Sequence, residues 1–244
     1  MKNITFINLT KFTLYNIVKI NKILYNLNMS VRKIKKSYIS CTGYFASFKN
    51  KTQIAFESTL ERDFYTILEF DCNVIRYEEQ PIQINYEYTD GNNRRYTPDT
   101  LVTYVDGTQI LFEVKYANEL ENNLELQQKI QILQKHIKEK YNLDFQVFTD
   151  KNIGKQYLDN LKFLYKFAFI PESKEKTAAI KKILYDRESI EIKEVLMNLH
   201  DNQNIQLEYL PYIWNYVFQN IKIVDLNQRL TMKTIIHTKR YSNG

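Results

Sequence analysis

The spacing of apolar positions changes period several times along the chain. Leu60, Phe64, Ile67 and Leu68 recur at helical spacing. Ser-Thr-Leu-Glu at 58–61 opens that run as a capping box, with Ser58 at the N-cap and Glu61 at N3. A helix is expected from Ser58 to about Asp71. Alternation then takes over: VIRYEEQP (74–81) and IQINYEY (82–88) read as strands parted by Pro81, followed by a turn at Asp90-Gly91-Asn92-Asn93. Two further strands, beginning at Thr97-Pro98-Asp99 and ending at Glu113-Val114-Lys115, flank the turn Asp106-Gly107. Residues 122–141 place Leu126, Ile130, Leu133, Ile137 and Tyr141 on one stripe, and FQVFT (145–149) is a short apolar strand. Helix, strands, helix, strand describes an α/β core with a mixed central sheet. Residues 30–56, basic and then aromatic, are expected to be irregular, with Gly43 as punctuation.

The remainder reads differently. Residues 153–169 suggest a connecting helix, and Pro171 with ESKEK marks a boundary. Helix-like stretches at 174–185, 190–199 and 206–219 are followed by strand-like KIVDL (222–226) and MKTII (232–236). Three helices and a two-stranded ribbon outline a winged-helix-like domain. The expected division is an N-terminal extension at 1–29, a core domain at 30–152, a connecting helix at 153–171 and a smaller winged-helix-like domain at 172–244.

Charge sharpens this division. The net charge of +6 is unevenly spread. Residues 1–50 carry nine Lys/Arg and no Asp/Glu, residues 51–150 carry ten and eighteen, and residues 151–244 carry fifteen and ten. A basic arm, an acidic middle and a mildly basic end suit a polyanion gripped from the flanks, with cations relieving the middle. Arg32, Lys33, Lys35 and Lys36 interleave with Tyr38 and Tyr44, a composition suited to phosphate and base contacts and equally to a loosely packed tail. Cys41 and Cys72 form no CxxC pair, which points to a reducing compartment such as the cytoplasm. The three histidines are far apart in sequence and are expected to be ordinary helix or surface residues. No stretch has the apolar length of a membrane span, and residues 1–28 read as a short amphipathic helix or an extension rather than a signal peptide.

Hairpin register decides whether Asp99, Glu113 and Lys115 can meet. A two-residue loop at Asp106-Gly107 sets Thr100 opposite Glu113 and turns Asp99 to the other face. A three-residue loop, Val105-Asp106-Gly107 with Gly in the left-handed region, sets Asp99 opposite Glu113, with Lys115 on the same face. Val102, Tyr104, Ile110, Phe112 and Val114 then form an apolar core face, so the three-residue loop is expected. Opposed Cβ atoms lie about 4.5–5.5 Å apart. Two carboxylates so placed repel unless a cation or proton lies between them. They suit a hard divalent cation such as Mg²⁺, with phosphate oxygens completing its shell, and the nearby lysine can orient or deprotonate a water or stabilise phosphate charge. The set therefore fits phosphodiester hydrolysis, although Asp, Glu-x-Lys alone is a common chance pattern.

The blocks STLE, EEQP, YTPD and EVK occur in order at suitable spacing. The stretch ESTLERDFYTILEFDCNVIRYEEQP…RRYTPDTLV…FEVK resembles TnsA, the endonuclease subunit of heteromeric transposases, over roughly residues 30–150. That resemblance implies the restriction-endonuclease-like PD-(D/E)xK fold. It implies Glu61, Asp99 and Glu113 as acidic site residues and Lys115 as the catalytic lysine. Asp99 and Glu113 would be the main Mg²⁺ ligands (Mn²⁺ a possible substitute), with Glu61 a ligand directly or through a water and the Val114 carbonyl a further one. It implies cutting at the 5′ ends of a mobile element in double-stranded DNA, beside a DDE transposase subunit, TnsB, and an AAA+ ATPase regulator, TnsC, that binds the tail. A stand-alone restriction-type nuclease and a non-catalytic DNA-binding assembly protein are the alternatives. From residues alone Glu61 is better read as a cap; the resemblance reverses that order, with Glu57 ranked below it. Glu78 and Glu79 read as polar strand-end residues, and Gln80-Pro81 as a strand boundary. Arg94 and Arg95 are phosphate candidates and equally a solvated strand start. Lys129 and Lys135 read as a solvated helix face. Residues 206–219 hold Tyr209, Tyr212, Trp214 and Tyr216 but no Lys or Arg, which favours a protein-contact role over DNA reading.

Overall fold

The computed structural model describes residues 41–238 and divides into two compact units. The first comprises the described residues up to Arg62 together with Cys72–Thr149; the second comprises Asp63–Asp71 and the described residues from Asp150 onward. The candidate phosphate contacts Arg32, Lys33, Lys35 and Lys36, and the expected extension at 1–29, lie outside the described residues.

In the first unit a hairpin precedes everything else. Strands β1 (Gly43–Ser47) and β2 (Thr52–Phe56) pair antiparallel where irregular structure is expected from sequence. Both strands alternate in burial, but their turn, Phe48 to Lys51, contains neither Gly nor Pro, and Lys51 itself takes the left-handed conformation at φ 55°. Gly43 lies within β1, where an added Cβ would come within 2.7 Å of the Phe56 ring. The turn covers the open edge of the next strand: the Asn50 amide donates to the Tyr77 carbonyl at 2.7 Å and accepts from its N–H at 3.3 Å.

Helix α1 (Thr59–Phe70) follows, and a four-stranded sheet lies beyond it. Its order is β3 (Val74–Glu79), β6 (Thr100–Tyr104), β7 (Gln109–Val114), β8 (Asp144–Phe148). The first three pair antiparallel and β7 pairs parallel with β8, so the sheet is mixed as the pattern implies. The parallel pair needs a crossover, which α2 (Ala117–Glu121) and α3 (Leu124–Tyr141) supply. Asn123 caps α3 by accepting from Leu126 N–H at 2.9 Å. Strands β4 (Ile84–Glu87) and β5 (Asn93–Tyr96) form a separate hairpin. It closes a core with Ile84, Leu101, Leu111, Leu133, Ile137 and Phe145. Leu101 and Leu111 occupy the sheet face opposite Val102 and Phe112, yet all four are buried. The expectation of one apolar face is thus corrected: the sheet is covered on both sides, because a parallel pair brings its crossover helix onto a face.

The hairpin register is the expected one. Thr100 pairs with Phe112 and Thr103 with Gln109, and the Tyr104 N–H donates to the Thr108 carbonyl at 2.9 Å. Continued one residue outward, that register sets Asp99 opposite Glu113. Gly107 takes φ 84°, which closes the three-residue loop.

The second unit holds α4 (Lys155–Tyr165), α5 (Lys174–Tyr185), β9 (Ser189–Glu191), α6 (Ile192–Leu199), α7 (Gln203–Gln219) and β10 (Ile235–His237). Helix α4, read from sequence as a connection, contributes Leu161 and Leu164 to this unit's core. The expected ribbon of 222–226 with 232–236 does not form. Ile221–Ile223 is a 3-10 turn, and β10 pairs instead with β9. Ile223, Val224 and Leu226 are buried in the core, so their apolar run reflects packing rather than a strand. Asn160 pins the loop that follows: its amide donates to the carbonyls of Leu226 at 2.8 Å and Gln228 at 2.7 Å, and accepts from Leu230 N–H at 3.2 Å. The aromatic residues of α7 face inward. Trp214 is buried edge-on against Phe163 at 4.8 Å, and Tyr209 and Tyr212 receive the Lys176 ammonium at 5.2 and 4.7 Å.

Candidate active site

Asp99, Glu113 and Lys115 converge at the ends of β6 and β7. Lys115 Nζ lies 2.9 Å from Glu113 Oε1, 3.8 Å from Asp99 Oδ2 and 3.3 Å from the Val114 carbonyl. Val114 N–H donates to Asp99 Oδ2 at 2.7 Å, which holds that carboxylate against the neighbouring strand. Glu113 is only 5% exposed. Its second oxygen, Oε2, accepts a hydrogen bond from the Tyr96 hydroxyl.

Burial, and then the Glu113 charge, push Asp99 up to about 7, against the opposing pull of Lys115 and the Val114 N–H. Burial works to lower Lys115, but the Asp99 and Glu113 carboxylates outweigh it and the ammonium ends above its ordinary value. Burial, followed by the Glu113 charge, also pushes the Tyr96 hydroxyl far up, so it serves as a donor.

Glu61 fills the capping role weighed for it. Its N–H donates to Ser58 Oγ at 3.1 Å, its Oε1 accepts from Ser58 Oγ at 3.0 Å, and its Oε2 accepts from Glu57 N–H at 2.8 Å. That is a capping box with the return bond shifted back by one residue. Burial raises its carboxyl, those two hydrogen bonds oppose the rise, and Lys115 draws it down further, so Glu61 also feels the site. Among the described residues, no three His, Cys, Asp or Glu side chains are gathered closely enough to hold a metal ion. The structure therefore brings together Asp99, Glu113 and Lys115, and leaves Glu61 beside them at the helix start.

The donor chemistry at this point fits a divalent cation. Glu113 is buried and Asp99 half-buried beside it, one ammonium does not neutralise both, and Asp99 rises toward protonation through its desolvation first and the Glu113 charge second. Hard carboxylate oxygens with an adjacent carbonyl are the ligands Mg²⁺ accepts, with waters completing its shell.

Two residues outside the expected set shape the site. Gln80 takes φ 41°, donates its N–H to the Asp99 carbonyl at 2.9 Å and its side-chain amide to Glu57 Oε1 at 3.2 Å. It thus ties the Asp99 strand to the segment that carries Glu61. Tyr96 is the other; its place three residues before Asp99 is the only sequence signal for it. Of the phosphate candidates, Arg94 is engaged locally, 2.8 Å from Asp90 and stacked 3.8 Å over the Tyr88 ring. Arg95 is exposed on the opposite face of β5.

The family model described as TnsA-like endonuclease N terminal matches residues 71–150, and so includes Tyr96, Asp99, Glu113 and Lys115. The one described as TnsA endonuclease C terminal matches residues 152–226. No curated protein matches the chain. No helix among the described residues is long and apolar enough to cross a membrane. The two matches follow one another in the order of the two compact units and together span well over half of the sequence: the chain belongs to the TnsA endonuclease family, the nuclease subunits of DNA transposition.

Proposed function

We propose that this protein is a Mg²⁺-dependent DNA endonuclease that cuts at the 5′ ends of a mobile element, working as one subunit of a heteromeric transposase. The observation that carries the reading is the meeting of Asp99, Glu113 and Lys115 around one ammonium group. Asp99 and Glu113 would hold the ion, with the Val114 carbonyl beside them and Glu61 acting through a water. Bound there, Mg²⁺ supplies Lewis acidity toward the phosphate and lowers the pKa of a water.

The chain's own residues supply the rest. Lys115 is kept charged by the carboxylates around it. That favours stabilising charge on the phosphate over taking a proton from water. Val114 N–H holds the Asp99 carboxylate in place, and Gln80 N–H anchors the Asp99 backbone. The basic arm, with Arg32, Lys33, Lys35 and Lys36, and the exposed Arg95 would grip the DNA backbone. The tail would meet the regulator ATPase TnsC, while TnsB acts at the 3′ ends. The test is nicking of DNA that carries the element ends, with partner subunits and Mg²⁺. Wild type should nick at the 5′ ends; nicking unaffected by chelation of divalent ions would defeat the metal assignment.

A further inference from the structure

Tyr96 touches the site without belonging to the expected set. It is 7% exposed, and its hydroxyl donates to Glu113 Oε2 while Lys115 Nζ lies 2.9 Å from Oε1. Each oxygen of the carboxylate therefore has its own donor, on a different element, and the group cannot rotate without breaking one. The ring is itself fixed. Phe145 of β8 packs edge-on at 5.8 Å, and the Lys129 ammonium of α3 lies 4.8 Å from the ring centroid. Lys129, read from sequence as part of a solvated helix face, is thus drawn onto the site's support. A buried tyrosine hydroxyl needs some acceptor; this one takes a charged oxygen inside the candidate centre. The Tyr96-Thr97-Pro98-Asp99 segment supplies one carboxylate and the holder of the other.

We propose that Tyr96 is a positioning residue of the nuclease: it fixes the plane of the Glu113 carboxylate so that Glu113 and Asp99 together take a divalent cation. The proposal rests on the metal-dependent reading of the site. Partners in the shell behind a ligating group commonly change metal affinity or activity by about 10–100-fold when removed.

Tyr96→Phe keeps the ring, with its Phe145 and Lys129 contacts, and removes only the donor. Ca²⁺ binding to the full chain without DNA, followed by calorimetry, reads the effect apart from turnover. The variant is expected to bind Ca²⁺ about 10–100-fold more weakly than wild type, and its Mg²⁺ requirement for nicking should rise to match. In a Glu113→Gln background, where the buried charge is gone, adding Tyr96→Phe should weaken Ca²⁺ binding no further. Equal affinity of Tyr96→Phe and wild type, or an additive loss in the double variant, would overturn the positioning role while leaving the metal site standing. A wild-type chain that binds neither Ca²⁺ nor Mn²⁺ would overturn the metal site itself, and this proposal with it.

Discussion

Asp99 and Glu113 face each other across the ends of two antiparallel strands, and a single ammonium, that of Lys115, lies 3.8 Å from one and 2.9 Å from the other. One positive charge between a buried and a half-buried carboxylate leaves the pair short of counter-charge. The consequences run from stability to catalysis and can be measured separately.

The first concerns pH. Asp99 sits at about 7 in the folded protein, against about 3.9 for an unfolded aspartate. The folded state thus binds this proton more tightly, so the group's contribution to stability is full below about pH 4 and is lost as pH rises through about 7. Asp99→Asn cannot ionise. In chelator-treated buffer at pH 8 its melting temperature should exceed that of wild type by roughly 3–8 °C, about 1–3 kcal/mol for a chain of this size. The gap should close toward pH 4. A variant that melts below wild type at pH 8 would contradict the raised Asp99 carboxyl, which burial and then the Glu113 charge produce.

Lys115→Met removes the ammonium and leaves the carboxylates opposed. Nicking should fall by about 10²–10³-fold, the usual cost of losing one preorganised charge-stabilising donor. Lys115→Arg should remain impaired, because a planar guanidinium does not replace a compact ammonium lodged between two carboxylates and a carbonyl. Quantitative nicking assays with partner subunits check both.

Gly107 tests the loop without touching the chemistry. Its φ of 84° strains any other residue, while an added Cβ would meet nothing within 4 Å. Gly107→Ala should therefore cost about 1 kcal/mol of stability through the backbone alone, with nicking at moderate temperature preserved. Thermal melts and nicking rates compared side by side decide this.

The basic arm is tested by salt. If Arg32, Lys33, Lys35 and Lys36 each neutralise a phosphate, replacing all four with Gln should weaken binding to any duplex. The slope of log affinity against log salt should flatten by up to about 3–4, at roughly 0.9 per phosphate contact. An unchanged slope would remove the arm from the DNA interface.

How much of this could be read from the chain varies by region for physical reasons. The β6–β7 register was legible because Gly107 marks the loop parity and the three-residue loop gathers Val102, Phe112 and Val114, all buried, on one face. The β1–β2 hairpin was not, since its turn uses Lys51 in a left-handed conformation in place of Gly. Residues 222–226 carry the right composition for a strand but, among the described residues, no partner strand pairs with them, and tertiary burial decides their shape. Glu61 was readable as a cap because capping is local; its electrostatic tie to Lys115, 54 residues on in the same unit, is set by tertiary folding. Tyr96 and Gln80 act through contacts to residues 17 and 23 positions away. No short-range pattern marks such pairs.

The central claim is that Asp99 serves a nuclease centre. Its most direct test is nicking of end-containing DNA by Asp99→Ala beside wild type, with partner subunits, Mg²⁺ and DNA binding measured in parallel. The account predicts that Asp99→Ala binds DNA as wild type does and yields no 5′-end nicks above background. Nicking by Asp99→Ala at the wild-type rate would contradict it.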